Sequence, residues 1–171
     1  MKKILVLYWP ERGNVEHCAV KIKNVLGNDA TLKSLKTVNE SDIQEADLII
    51  AGCSTVGAET WKDTSRDNEW SPFLISEKGQ LLKGKKVALF GLGDQVSYPN
   101  HFVDFMGVLK KEFDRLGATV IGRWPTDGYK FDASEAVEGD YFVGLALDED
   151  WQSELTESRI NRWTEQIRKD I

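Results

Sequence analysis

The side chains that most often carry out chemistry in proteins are few in this chain and stand in no reactive arrangement. The 171 residues include two cysteines, Cys18 and Cys53, and two histidines, His17 and His101. The cysteines lack the spacing of metal ligands, and neither histidine belongs to a pattern with a nucleophile and a carboxylate. The sequence therefore argues against a hydrolase, a metal centre and a disulfide scaffold.

Short apolar runs alternate with segments of helical periodicity along the chain. Residues 4–8, 48–52 and 87–91 are predicted to be strands buried on both faces, which is typical of a parallel sheet. A weaker strand is predicted at 30–35, and a last one starts at 120–121 and resumes at 142–146. Helices are predicted at 15–26, around Trp70, at 102–116, and near the C-terminus with Thr156 as N-cap. This alternation predicts one α/β domain over residues 1–171, an open parallel sheet with helices on both faces.

Ligands of such sheets bind beyond the carboxyl ends of the strands, where the strand order reverses. The loops after Tyr8, Gly52 and Gly91 each follow a predicted central strand. We therefore expect any binding site to be built from these three loops.

Three C-terminal segments resemble the long-chain flavodoxins. They are GLGDQVSYPNHFVDF (91–105), WPTDGYKFDASEAV (124–137) and FVGLALDEDWQSELTESRINRW (142–163), and the likeness continues more loosely upstream through AGCST (51–55). The resemblance implies a doubly wound five-stranded parallel sheet of order 2-1-3-4-5, with an insertion in the last strand that marks the long-chain subgroup. It also implies a low-potential one-electron carrier of the cytoplasm, not an enzyme, with noncovalently bound FMN.

The first loop departs from the family pattern T/S-x-T-G-x-T, whose hydroxyls and backbone N–H groups surround the FMN phosphate. Pro10, Arg12 and Val15 replace the three hydroxyl residues. By resemblance, the phosphate-binding residues are Arg12, Gly13, Asn14 and Val15, and the Arg12 guanidinium could compensate for the lost hydroxyls.

The second loop also differs, because the family has an aromatic residue soon after the threonine of its AGCST-like segment. The flavin-binding residues that the resemblance implies here are Thr55, Val56, Gly57 and Trp61. Trp61 either covers the inner face of the flavin from a shifted position or packs on the loop. Gly57 fits a backbone whose carbonyl turns toward flavin N5 on reduction.

The third loop matches the family. The residues implied to contact the cofactor are Gly91, Asp94, Tyr98 and Asn100. The Tyr98 ring is expected to stack on the outer flavin face. The alternative is that Tyr98, which precedes Pro99, packs at the start of the following helix.

The negative charge is concentrated in one part of the chain. The net charge of −6 argues against a nucleic-acid partner, and the first apolar run is too short to span a membrane. Residues 131–158 contain no lysine or arginine but nine acidic residues: Asp132, Glu135, Glu138, Asp140, Asp148, Glu149, Asp150, Glu154 and Glu157. This stretch is either a solvated face or a docking surface for basic redox partner proteins, and the resemblance favours docking.

Two functions remain open from the sequence. The first is a monomeric FMN-dependent electron carrier whose redox partners dock near the cofactor edge and the acidic face. The second is a flavodoxin-fold protein that has lost FMN and acts as a binding or regulatory module, since a fold survives the loss of its site. A flavoprotein reductase of quinones is less well supported, because no residues of a substrate pocket are evident.

Overall fold

The computed structural model describes residues 1–54 and 68–171. Five parallel strands form the sheet in the order β2-β1-β3-β4-β5, which confirms the order that the resemblance implied. They are β1 (Ile4–Tyr8), β2 (Ala30–Ser34), β3 (Leu48–Ser54), β4 (Lys86–Leu92) and β5 (Thr119–Ile121). The runs in β1, β3 and β4 are buried along almost their whole length, as expected for strands covered on both faces.

Helices cover both faces of this sheet. They are α1 (Asn14–Leu26), α2 (Glu40–Glu45), α3 (Trp70–Ile75), α4 (Glu77–Gln80), α5 (Asp104–Arg115) and α6 (Ser153–Arg168). Helix α1 packs beside α6, whereas α5 packs on β3, β4 and β5. Within the described ranges, no helix combines the length and the apolar character needed to cross a bilayer.

An insertion divides the last strand into two halves. Strand β5 pairs with the first part of β4, and β9 (Leu145–Leu147) pairs with the residues Phe90–Leu92 at its carboxyl end. Between these halves lie three short antiparallel strands, β6 (Trp124–Pro125), β7 (Val137–Glu138) and β8 (Tyr141–Phe142). The predicted interruption of the last strand is therefore confirmed.

Aromatic side chains anchor the insertion beside the start of α5. The ring of Phe102 lies 5.5 Å from Phe131 and 5.7 Å from Phe142, centroid to centroid, and Tyr129 lies 5.0 Å from Phe142. The Tyr129 hydroxyl donates to the Ala146 carbonyl at 2.6 Å. Apolar packing of this kind fixes the insertion to the sheet, because several rings share one buried space.

The predicted N-cap of the last helix is wrong. Helix α6 begins at Ser153 with Gln152 as the N-cap, three residues before Thr156. Thr156 lies inside the helix, buried, with its hydroxyl donating to the Glu149 carboxylate. The helix can begin earlier because the Asp148 carboxylate accepts the N–H groups of the preceding turn.

Gly107 is a glycine that the packing requires in the middle of α5. A Cβ atom at this position would lie 2.2 Å from the Glu135 carbonyl oxygen of the insertion. We expect Gly107→Ala to lower the free energy of unfolding by about 2 kcal/mol, because overpacking outweighs the gain of about 1 kcal/mol in helix propensity. Urea unfolding would measure this change. Asn24→Ala, on an exposed position of α1, is the control, and stabilisation by Gly107→Ala would contradict the expected close packing.

Candidate functional site

The carboxyl ends of β1, β3 and β4 lie side by side, as the sequence predicted. Tyr8 pairs with Gly52, and Gly52 pairs with Phe90. The Trp9 N–H and the Trp70 indole N–H both donate to the Gly52 carbonyl, at 3.3 and 3.2 Å. The loops that follow these strands therefore begin at one edge of the sheet, next to the point between β1 and β3 where the strand order reverses. The predicted site residues Thr55, Val56, Gly57 and Trp61 lie outside the described residues.

The first loop leads directly into α1, with Gly13 as the N-cap residue. Arg12 and Asn14 are exposed, but Val15 is buried and its side chain packs in the core. The N–H groups of the first turn of a helix have no partner within the helix. Arg12, Gly13, Asn14 and the backbone of Val15 are thus brought together at this edge, although the Val15 side chain cannot line it.

The Glu16 carboxylate forms hydrogen bonds to the first loop and to the end of β1. It accepts the Arg12 backbone N–H at 2.5 Å and the Tyr8 hydroxyl at 2.8 Å. The bond from the Arg12 N–H, together with the bond from Tyr8, lowers the pKa of Glu16. Burial, aided by the bond to Glu16, raises the pKa of Tyr8 to about 12. The Arg12 N–H is therefore occupied and Pro10 has none, so fewer backbone donors remain for an anion than the family pattern offers.

The third loop is a tight turn organised by Asp94. One oxygen of its carboxylate accepts the N–H groups of Val96 at 3.0 Å and Ser97 at 2.8 Å, and its carbonyl accepts the Tyr98 N–H at 3.0 Å. Burial opposes ionisation of Asp94, but the bonds from Ser97 and Val96 lower its pKa overall. The turn holds the Tyr98 ring at the sheet edge with 47% of its surface exposed, which leaves the ring available for stacking.

A buried carboxylate connects this turn to the insertion and to α6. Asp148 is completely buried and accepts both the N–H of Gln95 at 3.1 Å and its amide at 2.8 Å. It also accepts the N–H groups of Asp150 at 3.1 Å and Trp151 at 3.0 Å. The Gln95 amide oxygen in turn accepts the Lys130 N–H at 2.6 Å. Sequence reasoning counted Asp148 among the acidic-face residues, and the structure corrects this, because its charge holds the loops together.

Gly91 and Asn100, the other residues predicted at the third loop, lie outside the Asp94 turn. Gly91 lies within β4, where a Cβ atom would stand 3.2 Å from the Met106 side chain of α5. Close packing against α5 therefore explains why a glycine occupies position 91. Contact of Gly91 with a cofactor remains a prediction. Asn100 is exposed in the turn before α5.

His101 has a carboxylate partner that the sequence analysis missed. Its Nδ1 lies 2.9 Å from the Asp104 carboxylate, whose other oxygen accepts the Glu135 N–H at 2.8 Å. The sequence signal for this pair was the spacing of three residues between His101 and Asp104 at the start of a predicted helix. The pair joins the end of the third loop to the insertion.

Most of the acidic residues between 131 and 158 do reach the surface. Seven are exposed, namely Asp132, Glu135, Glu138, Asp140, Asp150, Glu154 and Glu157. Two of them pair with α5 lysines, Glu135 with Lys111 and Glu138 with Lys110, each at 3.7 Å. The charge is therefore partly compensated near α5.

Asp150 lies close to three other carboxylates. Burial, followed by the charges of Asp94, Asp148 and Glu149, raises its pKa. Because the folded protein disfavours the ionised form, Asp150→Asn should raise the free energy of unfolding slightly at pH 7, by at most about 0.5 kcal/mol after solvent screening. The gain should vanish as the pH falls below about 4, where both states are protonated. Urea unfolding at several pH values checks this, with Asp140→Asn as the exposed control, and a gain independent of pH would contradict it.

The fold and these loops define a doubly wound α/β protein with a ligand-binding edge beyond the carboxyl ends of its central strands. The family model described as Flavodoxin matches residues 6–163. The chain therefore belongs to the flavodoxin family.

Known relatives align with nearly the whole chain. The flavodoxin of Synechocystis sp. is 39% identical over 168 residues, which cover 98% of this chain and 97% of the relative. Flavodoxin 1 of Escherichia coli is 35% identical over 168 residues, with coverage of 97% and 93%. Among solved structures, Fusobacterium nucleatum flavodoxin bound to flavin mononucleotide is similar with a TM-score of 0.80 at 28% identity, covering 100% of this chain and 99% of the other.

Proposed function

We propose that this protein is a one-electron carrier that holds FMN noncovalently between the loops after β1 and β4. The observation that carries the proposal is the half-exposed Tyr98 ring, held by a hydrogen-bonded turn at the same sheet edge as the start of α1. Family membership and a structural relative that binds flavin mononucleotide support it. The relatives and the similar solved structures give no support to the alternative of lost FMN binding.

The donors at the first loop fit a phosphate group. The exposed Arg12 side chain and the N–H groups at the start of α1 supply positive charge and hydrogen-bond donors, and the helix dipole adds to both. We assign the phosphate to Arg12, Gly13, Asn14 and the backbone of Val15. Glu16 remains bound by the Tyr8 hydroxyl and by the Arg12 N–H, so each of its carboxylate oxygens already has a hydrogen-bond donor.

The third loop presents an aromatic ring that fits a flavin ring system. Tyr98 would stack on one face of the flavin, and Asn100 would lie at the edge of the flavin. Asp94 holds the turn that carries Tyr98. Thr55, Val56, Gly57 and Trp61 are proposed for the other side on the resemblance alone. FMN, when bound, supplies the redox chemistry, and the protein supplies binding and orientation. The nearby carboxylates disfavour added negative charge on the flavin, which favours a low potential.

Partners of an electron carrier are other redox proteins. We propose that they are basic and dock near the cofactor edge, because the exposed acidic residues include Asp150, Glu154 and Glu157 beside the third loop and the start of α6. We further propose a monomer of the cytoplasm that binds neither nucleic acid nor membrane. The net charge of −6 supports the absence of a nucleic-acid partner.

Retention of flavin tests the proposed function. Purified protein is mixed with excess FMN and desalted, and we expect one yellow, non-fluorescent flavin per chain. Tyr98→Ala should weaken FMN binding about five-fold or more, since stacking on an aromatic ring contributes on the order of 1 kcal/mol. Tyr141→Ala, which removes a similarly exposed ring from the insertion, is the matched control. A protein that keeps no flavin at saturating FMN is not an electron carrier of this kind.

A further inference from the structure

A buried arginine without an acidic partner lies where α6 meets the insertion. Arg159 is only 7% exposed, and its guanidinium carbon lies 4.0 Å from the centre of the Tyr129 ring. Its enclosed Nη1 has no hydrogen-bond partner, and within residues 1–54 and 68–171 no carboxylate forms an ion pair with it. Stacking on a ring offsets only part of the cost of burying a cation. Such a guanidinium is therefore expected to bind an anion.

A second arginine lies one helical turn further along α6. Arg162 is exposed, and its guanidinium carbon lies 5.5 Å from the centre of the Trp124 ring. It too forms no ion pair with any carboxylate that the structure describes. The Trp124 indole N–H donates to the Tyr129 hydroxyl at 3.0 Å, so the two rings under the arginines are adjacent. Because residues three apart in a helix share one side, the two cations together suit an anion with two charges.

The turn beside Arg159 leaves room for a ligand. Gly128 is exposed and has a φ of 88°, a conformation that favours glycine. For a Cβ atom built at this position, the nearest atom beyond its chain neighbours is the Arg159 Nη2, at 3.9 Å. Nη2 therefore faces a space that no side chain of the turn fills.

Gln152 adds an unpaired acceptor beside the same glycine. Its amide nitrogen donates to the Gly128 carbonyl at 2.8 Å, whereas its enclosed Oε1 has no hydrogen-bond partner. An acceptor next to two cations is complementary to an anion that also carries a hydroxyl group. Hydrogen phosphate combines two negative charges with a P–OH group, whereas sulfate has the charges but no hydroxyl at neutral pH.

We propose that Arg159, Arg162 and Gln152 form a binding site for a phosphate group, here called the Arg159 site. The two guanidinium groups would bind the anionic oxygens, and Gln152 would accept the hydroxyl hydrogen. The site is built from α6 and the insertion, so it is separate from the phosphate position assigned at the first loop. Lys130, two residues after Gly128, donates its N–H to Gln95, and the Arg159 site therefore adjoins the third loop.

A titration followed by nuclear magnetic resonance tests the Arg159 site. The protein is saturated with FMN, so that the first loop is occupied, and inorganic phosphate is added at constant ionic strength. We expect a saturable shift of the Trp124 indole N–H signal, which gives the dissociation constant. Sulfate should bind at least about three-fold more weakly, because it offers Gln152 no hydroxyl hydrogen. Glycerol 3-phosphate in a parallel titration distinguishes the two sources of the group, since tighter binding than inorganic phosphate identifies a phosphorylated metabolite and weaker binding the free ion.

Two arginine variants separate the Arg159 site from general attraction to positive charge. Arg162→Ala, at an exposed position, should raise the dissociation constant for phosphate at least about five-fold. Arg115→Ala removes an equal charge from an exposed position at the end of α5 and should change it less than two-fold. Arg159→Lys keeps the charge but loses the planar fork, so it should also weaken binding. The proposal is overturned if phosphate causes no saturable shift, if sulfate binds equally well, or if Arg162→Ala and Arg115→Ala have equal effects.

Failure of the Arg159 site can be told apart from failure of the proposed function. Retention of flavin is measured separately, and its loss refutes the electron carrier alone. The phosphate titration is then repeated on flavin-free protein carrying Arg12→Ala, which weakens the assigned phosphate position at the first loop. The Trp124 signal should shift with the same dissociation constant in that form, and an unchanged signal overturns the Arg159 site whatever happens to the flavin.

Discussion

Arg12→Ala should weaken FMN binding by ten-fold to a hundred-fold. The loop has lost the hydroxyl donors of the family pattern, the Arg12 N–H is bound to Glu16, and Pro10 has no N–H. The guanidinium is therefore expected to carry a larger share of the phosphate interaction. A hydrogen bond to a charged group contributes about 1.5–3 kcal/mol, which corresponds to this range. Titration of flavin fluorescence would measure the dissociation constant.

Riboflavin, which lacks the phosphate, shows whether the effect of Arg12→Ala arises at that group. Its affinity should be the same for Arg12→Ala and the unmodified protein. Arg12 has a φ of 60°, a conformation that costs alanine as much as arginine, so the substitution isolates the guanidinium. Lys21→Ala removes an equal charge from an exposed position further along α1 and should change FMN affinity less than two-fold. Equal losses for FMN and riboflavin would place Arg12 outside the phosphate site.

Asp148→Ala should lower the free energy of unfolding by about 3 kcal/mol. The substitution leaves the Gln95 amide and three backbone N–H groups without their acceptor, and each unsatisfied buried donor costs about 1–3 kcal/mol before water relieves part of it. Asp148→Asn retains one acceptor oxygen and should cost less. Urea unfolding measures both, and near-ultraviolet circular dichroism shows whether each variant is folded before the comparison.

The same substitution should also weaken FMN binding several-fold. Gln95 would lose its anchor, and the turn that positions Tyr98 would become less ordered. Asp140→Ala removes an exposed acid from the insertion and should change stability by less than about 0.5 kcal/mol. If Asp148→Ala were no more destabilising than Asp140→Ala, Asp148 would be only one more surface charge.

Local sequence signals predicted most of the strands and the longer helices. The buried runs of β1, β3 and β4 were evident because parallel strands covered on both faces are apolar throughout. Helix α2 was missed although Asn39 and Asp42 form a capping box there, a signal that the sequence does contain. The start of α6 was placed too late, because a carboxylate outside the helix stabilises the turn before it.

The sequence by itself determined the alternation of strands and helices, because periodicity and turn residues are local properties of the chain. The strand order, and the departure of the first loop from T/S-x-T-G-x-T, were evident only through the resemblance to the flavodoxins. Only the tertiary structure decided which charges are on the surface. Asp148 and Asp150 are two residues apart in one acidic stretch, yet one is buried as an acceptor for four donors and the other is exposed. Burial and hydrogen bonding depend on segments distant in sequence, such as Gln95 and Lys130, that meet only in the folded chain.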